Sequence, residues 1–168
     1  MSKTNYADYL KQTLTDVIKK SYPLFTNEVI EIEADKLKDV CSILKKECGF
    51  DMLLDISALD WKTHPKENQF PSRFELDYFF FHMKNNERVQ LKVAVPQDQN
   101  PEVDSISGVY PIADWIEREC YDMMGIRFRG HPNLKRLLMW ENFEGHPLRK
   151  DYPINKRQPI PVLDDVVT

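Results

Sequence analysis

The chain has 168 residues, enough for one domain with a working core, and its 42% hydrophobic and 30% charged residues, with a mean hydropathy of -0.53, are those of a globular protein without low-complexity tracts. Its apolar runs are short pieces such as Tyr78–Phe81, far below the ~18 residues of a spanning helix, and the first residues lack the apolar stretch and cleavage site of a secretory signal, so the chain is expected to stay where it is made. A net charge of -4 and a pI of 5.6 argue against general polyanion binding.

In chain order, Leu10, Leu14, Val17 and Ile18 predict a first amphipathic helix that ends before Pro23. Glu28–Glu33 alternates as a short strand. Leu37, Val40, Cys41 and Leu44 then follow helical spacing, with Asp35 to cap and Gly49 to terminate. A second strand runs through FDMLLDISALDW and closes in a polar loop from Lys62 to Ser72. RFELDYFFFHM and RVQLKVAVP are the clearest strands, the latter alternating Val89, Leu91, Val93 and Val95 with Gln90, Lys92 and Ala94, and Asn85-Asn86 suits the turn between them. PIADWIERECYDMMG predicts a last helix with Ile112, Trp115, Ile116, Cys120, Met123 and Met124 on its apolar stripe, Pro111 in its first turn and Gly125 as its C-cap. The class predicted is α+β: a mainly antiparallel sheet covered by helices on one face over residues 1–125, followed by an extended, proline-rich C-terminal arm over 126–168.

The arm differs from the body. Five of the eleven prolines lie after residue 130, and only NLKRLL keeps a helical pattern. From Gly125 to Gln158 there are eight Lys and Arg against three acids, a net of +5, while the remainder carries 15 basic and 24 acidic side chains. An acidic body with a basic, apolar-studded arm predicts a partner for the arm.

Motifs for chemistry are scarce. Cys41, Cys48 and Cys120 lack C-x-x-C spacing, which argues against a disulfide framework, zinc or an iron–sulfur cluster held by this chain alone; they are expected to pack in a reducing compartment. His64, His131 and His146 each precede proline and are expected to make turn or interface hydrogen bonds rather than bind metal. Glu117, Glu119 and Asp122 are expected to serve ion pairing, with Arg118 four residues from both Asp114 and Asp122. The five glycines form no phosphate cradle and no nucleophile elbow is present, so no catalytic residues, bound cofactor or metal are expected in this chain.

From Glu117 the sequence reads ERECYDMMGIRFRGHPNLKRLL, which resembles the signature of the 30 kDa subunit of NADH:quinone oxidoreductase (respiratory complex I). Glu117, Arg118, Glu119, Asp122, Met123, Met124, His131, Lys135, Leu137 and Leu138 fill its positions. The resemblance extends from about Glu28 to Pro153; Met124 stands where an aromatic is common, and Trp140 where proline often lies. It implies a peripheral-arm subunit without cofactor, beside the quinone-site large subunit and the iron–sulfur subunits. FMN and iron–sulfur clusters would lie in other chains of a proton-translocating complex on the cytoplasmic side of the bacterial inner membrane, which this chain would touch only through the complex. Trp140, His146, Leu148, Arg149, Lys150 and Asp151 are the expected docking residues, with Arg149 dispensable for this domain's own fold. The alternatives are the equivalent subunit of a ferredoxin-, F420- or hydrogenase-linked complex, or a free-standing module that binds nucleic acid or an acidic protein; for the leading reading no nucleic acid is involved.

Overall fold

A computed structural model describes residues 6–14, 17–25 and 27–159. Its elements are helix α1 (Tyr6–Thr13), strands β1 (Ile18–Leu24) and β2 (Asn27–Ile32), helix α2 (Leu37–Lys46), strands β3 (Met52–Asp60), β4 (Phe74–His82), β5 (Glu87–Val95) and β6 (Glu102–Asp104), helix α3 (Ala113–Met124) and strand β7 (Arg127–Arg129). Five strands form one sheet in the order β1-β2-β5-β4-β3, antiparallel except for the parallel pair β2–β5, while β6 and β7 pair in parallel. The predicted α+β class with a mainly antiparallel sheet is what the chain adopts.

The alternation read in the hairpin builds the core. Leu76, Tyr78 and Phe80 stand opposite Val93, Leu91 and Val89, and all six are buried. Ile30 and Ile32 of β2 fall in register with Leu91 and Val93 on the same face. Leu37, Val40, Cys41, Ile43 and Leu44 of α2 join this cluster, as do Ala113, Cys120, Met123 and Met124 of α3. The opposite face of the sheet carries Glu75, Asp77, Gln90 and Lys92, with Lys92 Nζ 2.5 Å from Glu75 and 3.5 Å from Asp77. Burial, with Glu75 beside it, lifts the Asp77 carboxyl to about 6 even though Lys92 opposes the shift.

Several expectations are corrected. The first helix stops at Thr13, and the segment toward Pro23 is edge strand β1, paired antiparallel with β2. Proline is tolerated there because an edge strand has one unbonded side. Asp35 makes no cap: it sits inside a 3-10 turn, Ala34–Lys36, ahead of α2. On α3, Ile112 and Trp115 are 51% and 57% exposed, whereas the acidic Glu117 and Asp122 are buried. The apolar stripe misjudged the helix face because both carboxylates find hydrogen-bond donors inside the fold. The core also runs past Gly125, since Ile126 and Phe128 are buried and β7 pairs with β6. The three cysteines are free, with Cys41 and Cys120 buried.

Tyr110 spans the core to donate its hydroxyl to the Phe50 carbonyl at 2.6 Å, while the buried Tyr78 hydroxyl meets no protein partner among the described residues. Tyr110→Phe is expected to cost about 1–3 kcal/mol in urea unfolding by orphaning a buried carbonyl, whereas Tyr78→Phe is expected to be neutral or stabilising.

Candidate functional site

The signature residues converge where the arm meets α3. Asp122 lies in the last turn of that helix, fully buried, and its carboxylate collects donors from the arm. Arg136 Nη1 reaches Oδ1 at 2.6 Å, while the backbone N–H groups of Leu137, Leu138 and Met139 donate to Oδ2 at 2.9, 2.8 and 2.9 Å. Burial alone would raise this carboxyl, but the Met139 N–H, the Arg136 guanidinium and the Leu138 and Leu137 N–H groups outweigh it and hold the group below its ordinary value. The second nitrogen of Arg136 donates to the carbonyls of Phe143 and Gly145 at 2.7 and 3.0 Å, so one side chain gathers two turns of the arm. NLKRLL therefore forms no helix: Leu137–Met139 bend their N–H groups around a carboxylate instead of along an axis.

The tripeptide Gly-His-Pro occurs at 130–132 and again at 145–147, and the second copy closes the end of α3. The last carbonyls of a helix have no partner within it. Here His146 Nδ1 donates to Asp122 O at 2.9 Å, Leu148 N–H to Met123 O at 3.1 Å, and Arg149 to Met124 O and Gly125 O at 2.5 and 3.2 Å. The Arg149 cation also lies at the negative end of the helix dipole. Burial, and then Arg73 nearby, hold its guanidinium below the ordinary value, while burial lowers His146. Gly125 makes this approach feasible. It is left-handed at φ 71°, and a Cβ there would collide with the Arg149 guanidinium and the His146 ring.

A third anchor holds residues 150 and 151 to the end of β3. Asp60 takes Arg73 through Nε at 2.9 Å and Nη2 at 2.7 Å, together with the backbone N–H groups of Lys62 and Lys150. Asp151 pairs with Arg73 at 2.8 Å and Lys62 at 3.0 Å. Those bonds, Arg73 first, depress the Asp151 carboxyl; at Asp60 burial pushes the other way but the Arg73 and backbone donors prevail.

Glu117 and His131 hold the other side of the helix. Glu117, buried, accepts from Ser105 Oγ at 2.6 Å and Ile106 N–H at 2.7 Å, and so fastens the loop after β6. Burial lifts its carboxyl to about 7, against the pull of those two donors. His131 Nδ1 accepts from Asn133 N–H and Nε2 donates to Asp114 O, both at 3.0 Å, which fixes its tautomer. His64 makes the same turn bond, accepting from Lys66 N–H at 3.1 Å.

Arg118 makes neither ion pair expected of its spacing. It stacks over Trp115 and donates to the carbonyls of Lys135 and Arg136, both at 3.2 Å. Carbonyls of the returning arm come closer to it than a carboxylate one turn away. Lys135 and Glu119 are exposed, Met123 and Met124 are core, and Leu138 and Leu148 are 57% and 55% exposed. Trp140 is half-buried edge-on to Phe143. Arg149 and Asp151 thus bond to their own chain, which overturns the expectation that Arg149 is free of this domain's fold. Arg136, Asp60 and Arg73 were absent from the candidate residues; their partners lie 14, 90 and 78 residues away along the chain, beyond any local spacing rule. Among the described residues no group of three or more His, Cys, Asp or Glu is placed to hold a metal ion.

The profile of the family described as "Respiratory-chain NADH dehydrogenase, 30 Kd subunit" matches residues 30–158. An NADH-quinone oxidoreductase subunit of Geobacter sulfurreducens is 38% identical over 133 residues, covering 77% of each chain. Its namesake in Mesorhizobium japonicum is 37% identical over 155 residues, covering 91% of this chain and 73% of that one. A solved trypsin-resistant fragment of Nqo5 matches with a TM-score of 0.61 and 29% identity over 68% of this chain and 87% of its own. A chain of an archaeal membrane-bound sulfane sulfur reductase shares the fold, with a TM-score of 0.73 and 21% identity over 89% and 84% of the two chains.

Removing the Asp122 carboxylate leaves Arg136 and three N–H groups without their acceptor. Asp122→Ala is expected to cost about 3–5 kcal/mol and to expose Lys135 and Arg136 to limited trypsin digestion, read by fragment mass. Glu117 sets a pH dependence of the opposite kind. Its carboxyl is raised on folding, so the stability linked to its proton falls as pH rises from the ordinary 4.5 to about 7. Thermal melts across that window are expected to show the decline in the natural chain and a flatter profile in Glu117→Gln.

Proposed function

The chain belongs to the family of the 30 kDa subunit of the respiratory-chain NADH dehydrogenase, and on that footing we propose that it is a cofactor-free scaffold of the peripheral arm of a proton-translocating NADH:quinone oxidoreductase. In this reading NADH oxidation, iron–sulfur electron transfer and quinone reduction belong to other chains. This one binds the quinone-site large subunit and neighbouring iron–sulfur subunits on the cytoplasmic side of the membrane. Among the described residues no helix is long and apolar enough to cross a bilayer, so attachment through the complex is the fitting route.

The observation that carries the reading is how the polar side chains are engaged. Asp122, His131, His146 and Arg149 are committed to hydrogen bonds that hold the arm to the body, and Glu117 to those that hold the loop after β6. His146 and Arg149 border surface clefts, but all five have their polar atoms bonded within the fold rather than free as those of an acid, base or nucleophile would be. What the arm presents outward is instead apolar and basic: Leu138, Leu148 and the 99% exposed Ile154, with Lys135, Lys150 and Arg157 around them. Large exposed apolar side chains beside cations, on a backbone fixed from beneath, are the components of a protein interface. The docking strip proposed is therefore Trp140, Leu148 and Lys150, supported by His146, Arg149 and Asp151.

Leu148→Glu tests this directly because the side chain is already 55% exposed and the fold does not depend on it. The melting temperature of the chain is expected to change by no more than about 1 °C, while its recovery with the other subunits in gently solubilised membranes falls severalfold. Undiminished recovery would remove the arm from the interface.

A further inference from the structure

The hairpin between β1 and β2 closes on the pair Leu24–Asn27, with Phe25 the first residue of the connection. Two-residue hairpin connections require positive φ at their first position, which is why Gly, Asn or Asp usually stands there. Phe25 stands there instead, at φ 53°, a conformation disfavoured for a bulky L residue. Its side chain is 98% exposed, and that of Leu24 beside it 41%. Backbone and solvent therefore both oppose an aromatic at this turn. An outlying conformation joined to an exposed apolar side chain points to a role outside the folded chain.

The base of the hairpin is firm: β2 is bonded to β1 on one side and to β5 on the other, and it buries Val29, Ile30 and Ile32. The flanks of the hairpin carry Lys19 and Lys20 against Glu28, Glu31 and Glu33, with Lys19 paired to Glu33 at 3.0 Å. This balance is acidic and gives no attraction to an anionic lipid surface. A tip of two side chains is also far below the area that holds two copies of a chain together, roughly 1,000 Å² or more. As one contact within a larger assembly it suffices.

We propose that Phe25, with Leu24 at its side, is a docking finger that enters an apolar pocket on a neighbouring protein of the complex. This rests on the membership in the complex proposed above. The left-handed turn aims the ring beyond the sheet, and the rigid hairpin spares the contact the cost of ordering a loop on binding.

Photo-cross-linking in cells that produce the whole complex tests it, with p-benzoylphenylalanine placed in the full chain at position 25 or, separately, at position 148 in the arm. The expected result is a cross-link from position 25 to another protein of the complex, identified by mass spectrometry. A cross-link from 148 to such a protein with none from 25, or one from 25 only to lipid or to a second copy, would overturn the finger and leave the complex reading standing. Absence of any other protein of the complex at both positions would overturn both. Phe25→Asn gives the second measurement. It is expected to raise the melting temperature of the purified chain by about 2–4 °C while lowering its affinity for the rest of the complex by about tenfold or more. A lower melting temperature, or unchanged affinity, would show that Phe25 serves only this chain's own fold.

Discussion

A single buried carboxylate organises the C-terminal arm of this protein. Asp122 sits at the end of α3, takes the guanidinium of Arg136 on one oxygen and three consecutive backbone N–H groups on the other. Each donor would be costly to leave unpaired in the interior, so the carboxylate dictates where residues 136–139 lie. From there Arg136 reaches on to Phe143 O and Gly145 O, and the Asp122 carbonyl receives His146. Removing the carboxylate would undo the bonds on which the rest of the arm is strung.

The body and the arm are stabilised differently. The body is an ordinary core, in which Phe74, Leu76, Tyr78 and Phe80 meet Val89, Leu91, Val93 and Val95 under two helices, each side chain contributing about 1.5–3 kcal/mol by leaving water. Among the described residues of the arm, 130–159 form no regular element and expose Leu138, Leu148 and Ile154, so little apolar burial holds them. Charge-assisted hydrogen bonds hold them instead: Arg136 on Asp122, Arg149 on the carbonyls of α3, and Arg73 bridging Asp60 and Asp151. Of the eight basic residues that distinguish the arm, Arg136 and Arg149 are turned inward in this way. Arg127, Arg129, Lys135, Lys150, Lys156 and Arg157 stay exposed, with Arg129 paired to Asp104 and Lys156 to Glu144.

The sequence was informative where a period controls the fold and silent where distant polar groups do. Alternation in β4 and β5 and the spacing of Leu37, Val40, Cys41 and Leu44 placed the core face correctly, because burial of one face imposes the period. The same rule failed on α3, where Glu117 and Asp122 point inward and Trp115 outward; hydropathy cannot register that a carboxylate has donors waiting 11 to 17 residues along the chain. It failed again before Pro23, where tertiary pairing with β2 overrode a helical stripe. The signature located the site without disclosing its purpose: Glu117 and Asp122 read as ion-pairing groups with Arg118 at helix spacing, yet Glu117 bonds Ser105 and Ile106, Arg118 bonds carbonyls of the arm, and Asp122 takes Arg136 from the arm. The two Gly-His-Pro copies also diverge, one fixing a turn against Asp114 and the other capping α3.

The central claim is that the arm is shaped by its own body before any partner arrives, so that docking meets a prepared surface rather than a disordered one. Amide hydrogen exchange of the full chain, purified alone, tests this most directly at Leu137, Leu138 and Met139. These N–H groups belong to no helix or strand and owe any protection to the Asp122 carboxylate. The account predicts exchange slowed about a hundredfold or more relative to an unstructured peptide, as an opening cost of some 3 kcal/mol implies, and lost in Asp122→Ala. Exchange at the unstructured rate in the natural chain would contradict it.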